Sequence, residues 1–264
     1  MWREAKPRRY RDLTLLEIGR GSMLVISCDS SGGIGPKPAD VIRVPAYVVG
    51  RFGVRVALME VMSVGARPVA VIDTLAVEPH PTGAQIQRGI SDEMVSIGLD
   101  PGLCLTGSME RNVPTVQTGF GITVLALLLE GEGLMGRLGP GDALACFGVP
   151  KVGPEVRLGD PDLAEPSTVR RLVDSGRARE VLPVGSRGIR REAEGLSALY
   201  GCRFKWEDTA GLAVERSAGP ATCLLAAGDR ADLIALGQCA RKPFRILGEF
   251  VPPKPGQSRA RATL

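Results

Sequence analysis

Cys28-Asp29-Ser30-Ser31-Gly32-Gly33-Ile34-Gly35-Pro36-Lys37 follows closely on an apolar run, Met23-Leu24-Val25-Ile26. The run reads as a buried strand that delivers an aspartate into a glycine-rich loop. Gly32, Gly33 and Gly35 let the backbone approach a ligand, with N–H groups free to face anionic oxygens. A carboxylate at a strand end suits Mg²⁺, and Lys37 suits a phosphate. Strand, aspartate, glycine loop and lysine are the parts of a Mg²⁺–nucleotide site. The alternative is a solvated loop whose glycines only make turns. The loop is not a Walker A motif, since no Gly-Lys-Ser/Thr closes it. It is not a dinucleotide-binding fingerprint either, because the glycine spacing differs and no helix follows at once.

Working outward, Leu13 to Ile18 predicts a strand, and Gly19-Arg20-Gly21-Ser22 a hairpin turn into Met23. Residues 1–11 read as loosely ordered. From Pro45 to Val64, Val48, Val49, Phe52, Val56, Met59 and Met62 recur at helical steps, between Pro45 and Gly65. Glu60 falls on this helix. Val69–Ile72 is a short strand ending at Asp73. Thr82 to Ile97 is a second helix, capped by Thr82 and closed by Gly98. Leu103–Leu105 leads as a strand into the loop Thr106-Gly107-Ser108, and Gly119–Leu129 is a long strand. This order predicts an α+β layer with helices on one face of a sheet.

Glu130–Gly133 and Gly139–Asp142 are poor in apolar residues and predict a linker. The expected domains are 1–135 and 136–252, with a disordered tail over 253–264. The second, an α/β domain, has strands at Ala143–Val149, Ala221–Ala226 and Phe244–Phe250. Its helices are expected at Glu165–Asp174, Arg187–Leu199 and Asp229–Leu236.

Composition limits the function classes. The 264 residues are 44% hydrophobic and 23% charged, and the net charge is +4. The arginines are scattered and aromatics are only 4%, which disfavours a stacking groove for nucleic acid. No run of about 18 apolar residues occurs, so a soluble, cytoplasmic protein without a membrane partner is expected. Six separated cysteines, none in Cys-x-x-Cys, read as reduced and buried rather than zinc-binding. The single histidine, His80, lies in a stiff Pro-His-Pro turn and reads as a surface residue.

Asp12, Asp29, Glu60 and Asp73 each stand at the edge of an apolar element or within an amphipathic one. Acidic residues at strand ends gather at one end of a sheet, where Mg²⁺ bridging to phosphate oxygens offsets their repulsion. Thr106-Gly107-Ser108 is a second small-residue loop able to approach a ligand.

These residues resemble the ATP-binding superfamily of aminoimidazole ribonucleotide synthetase, thiamine-monophosphate kinase, selenophosphate synthetase and the hydrogenase-maturation dehydratase. Asp12 and Asp29 stand at the kinases' spacing between an acidic residue and a strand-end aspartate. Gly33-Ile34-Gly35-Pro36-Lys37 is similar to the synthetase's Gly-Val-Gly-Thr-Lys. Val56–Pro68 resembles the family's helix and its Gly-Ala-x-Pro, with Glu60 where Asp is usual. Asp73 matches an aspartate on the next strand, and Gly141-Asp142 resembles the Pro-Gly-Asp that opens the second domain. Two departures stand out. Thr106-Gly107-Ser108 replaces Gly-Gly-Asp/Glu, leaving Glu110 as the nearest acid, and Ser186-Arg187-Gly188 replaces Ser-Asp-Gly.

One branch, the α-ribazole kinases, is similar at Cys28–Gly35, Leu105–Ser108, Pro114–Gly119, Val149–Gly153 and Leu182–Ser186. The resemblance implies a ferredoxin-like first domain whose sheet dimerises into a barrel, hence a homodimer. It also implies transfer of the ATP γ-phosphoryl group to the 5′-hydroxyl of α-ribazole, a small nucleoside-like acceptor. On this reading Asp12, Asp29 and Glu60 hold Mg²⁺. Gly32–Lys37 cradles phosphates, with Lys37 on a terminal oxygen. Thr106, Gly107 and Ser108 line the nucleotide, and Asp73 adds a metal or substrate contact. Lys151, Ser186 and Arg187 approach the acceptor or the transferring group. Two alternatives stay open: ATP-dependent activation of an amide or acid, and a nucleotide-binding regulator without catalysis.

Overall fold

A computed structural model describes residues 6–254 of the chain. They divide into two compact units, residues 6–62 with 66–132 and residues 63–65 with 133–254. The first contains β1 (Arg8–Tyr10), β2 (Leu13–Gly19), β3 (Ser22–Gly32), β4 (Ile34–Gly35), β5 (Ile42–Arg43) and α1 (Ala46–Ser63). It continues with β6 (Arg67–Leu75), α2 (Ala84–Ser96), α3 (Pro101–Cys104), β7 (Leu105–Met109) and β8 (Gly119–Leu128). The second holds β9 (Ala143–Gly148), α4 (Pro166–Asp174), β10 (Ala178–Pro183), α5 (Gly188–Tyr200), β11 (Arg203–Trp206), β12 (Cys223–Gly228), α6 (Arg230–Ala240) and β13 (Phe244–Val251).

The first unit is a six-stranded mixed sheet in the order β1-β2-β3-β8-β6-β7. All pairs are antiparallel except β6 with β7. Alternation sets its two faces. In β8, Phe120, Ile122, Val124, Ala126 and Leu128 are buried, while the residues between them are half-buried. Val25 and Ser27 of β3 and Val71 and Leu75 of β6 share the buried face. α1 and α2 cover that face and are joined by a buried charge cluster. Arg55 Nε donates to Glu93 Oε1 at 2.7 Å, and Arg51 Nε donates to Oε2 at 2.6 Å. Glu93 is 1% exposed, so both guanidinium groups are needed to offset its desolvation.

Several expectations shift in detail. Residues 8–10 form a strand rather than loose chain, because they pair with Leu13–Leu15 across a turn at Arg11-Asp12. β3 runs four residues past Cys28, since its backbone keeps pairing with β8 as far as Gly32 opposite Gly119. Thr106-Gly107-Ser108 lies in edge strand β7, not in a loop, because its backbone pairs in parallel with β6. α2 starts at Ala84 after a turn at Pro79–Gly83, and no side chain caps it. The Thr82 hydroxyl donates to Glu78 instead. His80 lies exposed in that turn.

The second unit is a five-stranded antiparallel sheet, β10-β12-β9-β13-β11. Its core gathers Leu144, Leu182, Ile189, Leu196, Leu225 and Phe250. Cys146 and Cys223 are buried there, but Cys28 and Cys239 are exposed, and all six cysteines are free. Among the described residues no helix is long and apolar enough to cross a membrane. The tail expected to be disordered lies, from residue 255 on, outside the described residues.

Candidate functional site

Register brings two of the expected carboxylates into one row. Asp29 of β3 and Asp73 of β6 both lie opposite Ile122 of β8, and Asp73 also lies opposite Gly107 of β7. Paired residues point to the same side, so both aspartates project from the helix-covered face. Their Cα atoms are two strand spacings apart, about 10 Å, with Ile122 between them. They sit inside strands, not at strand ends as the apolar runs suggested.

Asp73 is 0% exposed. Its Oδ2 accepts from Gln87 Nε2 of α2 at 3.0 Å, while its Oδ1 is buried with no hydrogen-bond partner. Burial pushes its carboxyl above the usual range, only partly offset by the Gln87 bond. Burial likewise raises Asp29, against one backbone bond from Ser30. Both groups are therefore costly to keep ionised, and a cation on this face would relieve that cost. Gly107 is required beside them, because a Cβ there would lie 2.1 Å from Asp73 Oδ1. We expect Gly107→Ala to displace the Asp73 carboxylate and lower any turnover about tenfold, as small misplacements do. Steady-state kinetics check this, with an unchanged kcat counting against the row as a site.

The other two predicted metal ligands stand apart from this row. Asp12 is exposed in the β1–β2 turn. The register of Thr14 opposite Ile26 carries that turn towards the level of Cys28. Glu60 lies half-buried in α1, three residues before its end, and is engaged by neighbours. Among the described residues no group of three His, Cys, Asp or Glu side chains is placed to hold a metal ion. A Mg²⁺ ion would therefore need phosphate oxygens and water to complete its shell, which is its usual habit.

The glycine segment is built differently from expectation. Gly33 N–H donates to Thr118 O at 2.9 Å, so it is not free for an anion. Gly35 has φ of +153°, and a Cβ there would lie 2.3 Å from Thr118 Oγ1. At Gly32, by contrast, a Cβ would meet nothing within 4 Å. The organiser of the loop is Asp40, which the sequence reading passed over. Its Oδ1 accepts from Thr118 N at 2.7 Å, and its Oδ2 accepts from Thr118 Oγ1 and Lys37 N, each at 2.7 Å.

Lys37 is not a free cation. Its ammonium pairs with Glu78 Oε2, and Thr82 Oγ1 donates to Glu78 Oε1. Burial raises the Glu78 carboxyl, but the bonds from Lys37 and Thr82 outweigh it and bring it from 4.5 down to about 2. A lowered carboxyl stabilises the fold above its unfolded pKa and loses that contribution as pH falls through the folded one. The stability difference between the wild type and Glu78→Gln should therefore be full above pH 4.5 and shrink towards about pH 2. Chemical denaturation across that range checks this. A difference independent of pH would contradict the ion pair.

Thr106 and Ser108 are exposed on β7, on the face opposite Gly107's neighbour Asp73. Glu110 does not stand in for the missing acid, since its Oε1 accepts from Asn112 N at 2.7 Å and Val113 N at 3.1 Å. In the second unit, Lys151 Nζ donates to Asp160 at 2.8 Å and Asp162 at 3.1 Å, which raises its pKa. It is an ion-paired residue there, not an open cation. Ser186 and Arg187 are exposed at the start of α5.

Comparison with solved structures shows the same fold elsewhere. T. maritima PurL complexed with ATP superposes with a TM-score of 0.67 at 15% identity, over 90% of this chain and 42% of that one. The chain thus spans under half the length of that relative. Thiamine-monophosphate kinase from Stenotrophomonas maltophilia K279a gives 0.63 at 15% identity, over 92% and 87%. A chain of the HypE-HypF complex gives 0.64 at 14% identity, over 91% and 87%. At these identities the likeness is one of fold. No curated protein sequence matches the chain. In sequence, residues 10–122, which hold both aspartates of the row and the glycine segment, match the family described as AIR synthase related protein, N-terminal domain.

Proposed function

We propose that the chain is a Mg²⁺- and ATP-dependent phosphotransferase with an alcohol acceptor, and that the acceptor is the 5′-hydroxyl of α-ribazole. The observation that carries the metal and nucleotide part is the row of Asp29 and Asp73, with an orphaned, buried Oδ1 on Asp73. Asp29 and Asp73 are the residues that would hold the cation. Mg²⁺ supplies neutralisation of phosphate charge, the main requirement of phosphoryl transfer. Lys37 meets a terminal phosphate oxygen, and Gly32 offers the open approach. Of Thr106, Gly107 and Ser108, Gly107 alone shares the face of the row and leaves room for the Asp73 carboxylate beside the nucleotide. The acceptor itself rests on the sequence resemblance to α-ribazole kinases.

A coupled assay of ADP release tests the function, run with α-ribazole, thiamine monophosphate and common nucleosides. Release that depends on α-ribazole is the expected result. Release only with a nitrogen-containing second substrate would favour the synthetase alternative, which the likeness to PurL supports. ATP binding with no acceptor-dependent release would favour the regulatory alternative, consistent with Ser108 and Arg187 at positions where the family carries acids.

The second face of the first sheet supports the homodimer. Leu16, Leu24, Ile26, Leu125 and Leu127 adjoin one another there and are only half-buried. Such a contiguous apolar face marks an interaction surface. Light scattering of the purified chain should report a dimer. A monomer at micromolar concentration would contradict this assignment.

A further inference from the structure

The contact between Lys37 and Glu78 joins two segments far apart in sequence, the loop between β4 and β5 and the turn after β6. Lys37 leaves a backbone that is already fixed. Its own N–H donates to Asp40, and Arg43 donates to Pro36 O at 3.2 Å and to Pro38 O at 2.6 Å. The loop therefore does not need the Lys37–Glu78 pair to hold its shape. The pair is also unlike an ordinary surface bridge, which is worth little because two mobile chains must be ordered. The Lys37 side chain is only 14% exposed, and Thr82 fixes the second oxygen of the carboxylate. An ammonium has three donors, so one carboxylate leaves others for an incoming anion.

We propose that Glu78, set by Thr82, is a positioning residue that aims the Lys37 ammonium at the transferring phosphate. The role rests on the nucleotide reading given above. It assigns to Glu78 the part that a glutamate from a separate helix plays for the phosphate-binding lysine of protein kinases. Glu78 touches neither nucleotide nor acceptor. Its negative charge competes with phosphate for Lys37, so it costs some affinity while it secures alignment. Removing the charge therefore separates binding from turnover in opposite directions.

The experiment uses the full chain and its Glu78→Gln and Thr82→Val variants, each checked by circular dichroism melting. Without nucleotide, acetic anhydride labelling of Lys37, read by peptide mass, should rise several-fold in Glu78→Gln and less in Thr82→Val. By calorimetry, Glu78→Gln should bind Mg-ATP as tightly as wild type or tighter. Its kcat with α-ribazole should fall about tenfold or more, since misalignment costs rate. Glu78→Asp should recover part of that loss. Unchanged labelling, or a wild-type kcat in Glu78→Gln, overturns the positioning role while leaving the nucleotide reading intact. Faster labelling in a protein whose wild type binds no Mg-ATP overturns the nucleotide reading, and the positioning role falls with it.

Discussion

Asp29→Asn should remove acceptor-dependent ADP release by about 10³-fold, near 4 kcal/mol of transition-state stabilisation, the scale found when one electrostatic contact is lost. The same variant should melt at the wild-type temperature or slightly above it. The two outcomes share a cause. Asp29 projects from a sheet face covered by helices, and burial already raises its carboxyl. At neutral pH the fold therefore keeps a charge that it would be better off without. The amide fits the same space and accepts the same Ser30 bond without that cost. A residue held charged against stability is a functional candidate. Steady-state kinetics and a thermal melt on one preparation check both halves. Wild-type turnover in Asp29→Asn would end its role as a metal ligand.

Asp40→Ala should act through stability. The carboxylate is 7% exposed and accepts three bonds, two from Thr118 and one from the Lys37 backbone. Truncation strands two N–H groups and a hydroxyl. Leaving buried donors unpaired costs 1–3 kcal/mol each before relaxation, so a loss of about 3 kcal/mol is expected. That corresponds to a drop in Tm on the order of 10 °C. Burial alone would raise the Asp40 carboxyl, but the Thr118 and Lys37 bonds and the Arg43 charge bring it below its usual value. Its contribution is thus complete at neutral pH and is lost as pH falls through the lowered value. Asp40→Asn should keep part of the stability, because one amide oxygen still accepts. A melting temperature within 2–3 °C of wild type in Asp40→Ala, far below the shift a lost bond set implies, would contradict the role of Asp40 as organiser of the glycine segment.

The apolar pattern revealed much of the fold because burial depends on it directly. Helical steps from Val48 to Met62 place α1, and Gly65, at φ of +88°, follows its end. Strand ends were misjudged where pairing continued beyond the apolar residues. Ser30-Ser31-Gly32 carry no hydrophobic signal, yet their backbone groups pair with Phe120 and its neighbours. β10 was missed because Arg179 and Glu180 interrupt it. Glu180 is nevertheless buried, accepting from the Tyr200 hydroxyl. β11 was also missed, although Arg203-Phe204-Lys205-Trp206 alternates with period two, because four residues make too short a pattern to stand out.

The site was legible in parts. Asp29, Asp73 and Gly107 were chosen for their types, but only register shows that they share a row. Asp12 and Glu60 were grouped with them by position along the chain, which does not encode which way a helix or turn faces. Glu78, Gln87 and Asp40 act on partners between 3 and 78 residues away, and their roles arise only once those partners are in place.

The most direct measurement is calorimetric titration of the full chain with ATP, with and without Mg²⁺, for the wild type and Asp29→Asn. Saturable ATP binding that requires Mg²⁺ in the wild type, and is weakened in Asp29→Asn, is the predicted result. No binding by the wild type, or Mg²⁺-independent binding unaffected by Asp29→Asn, would contradict the assignment of the Asp29–Asp73 row as the metal–nucleotide site.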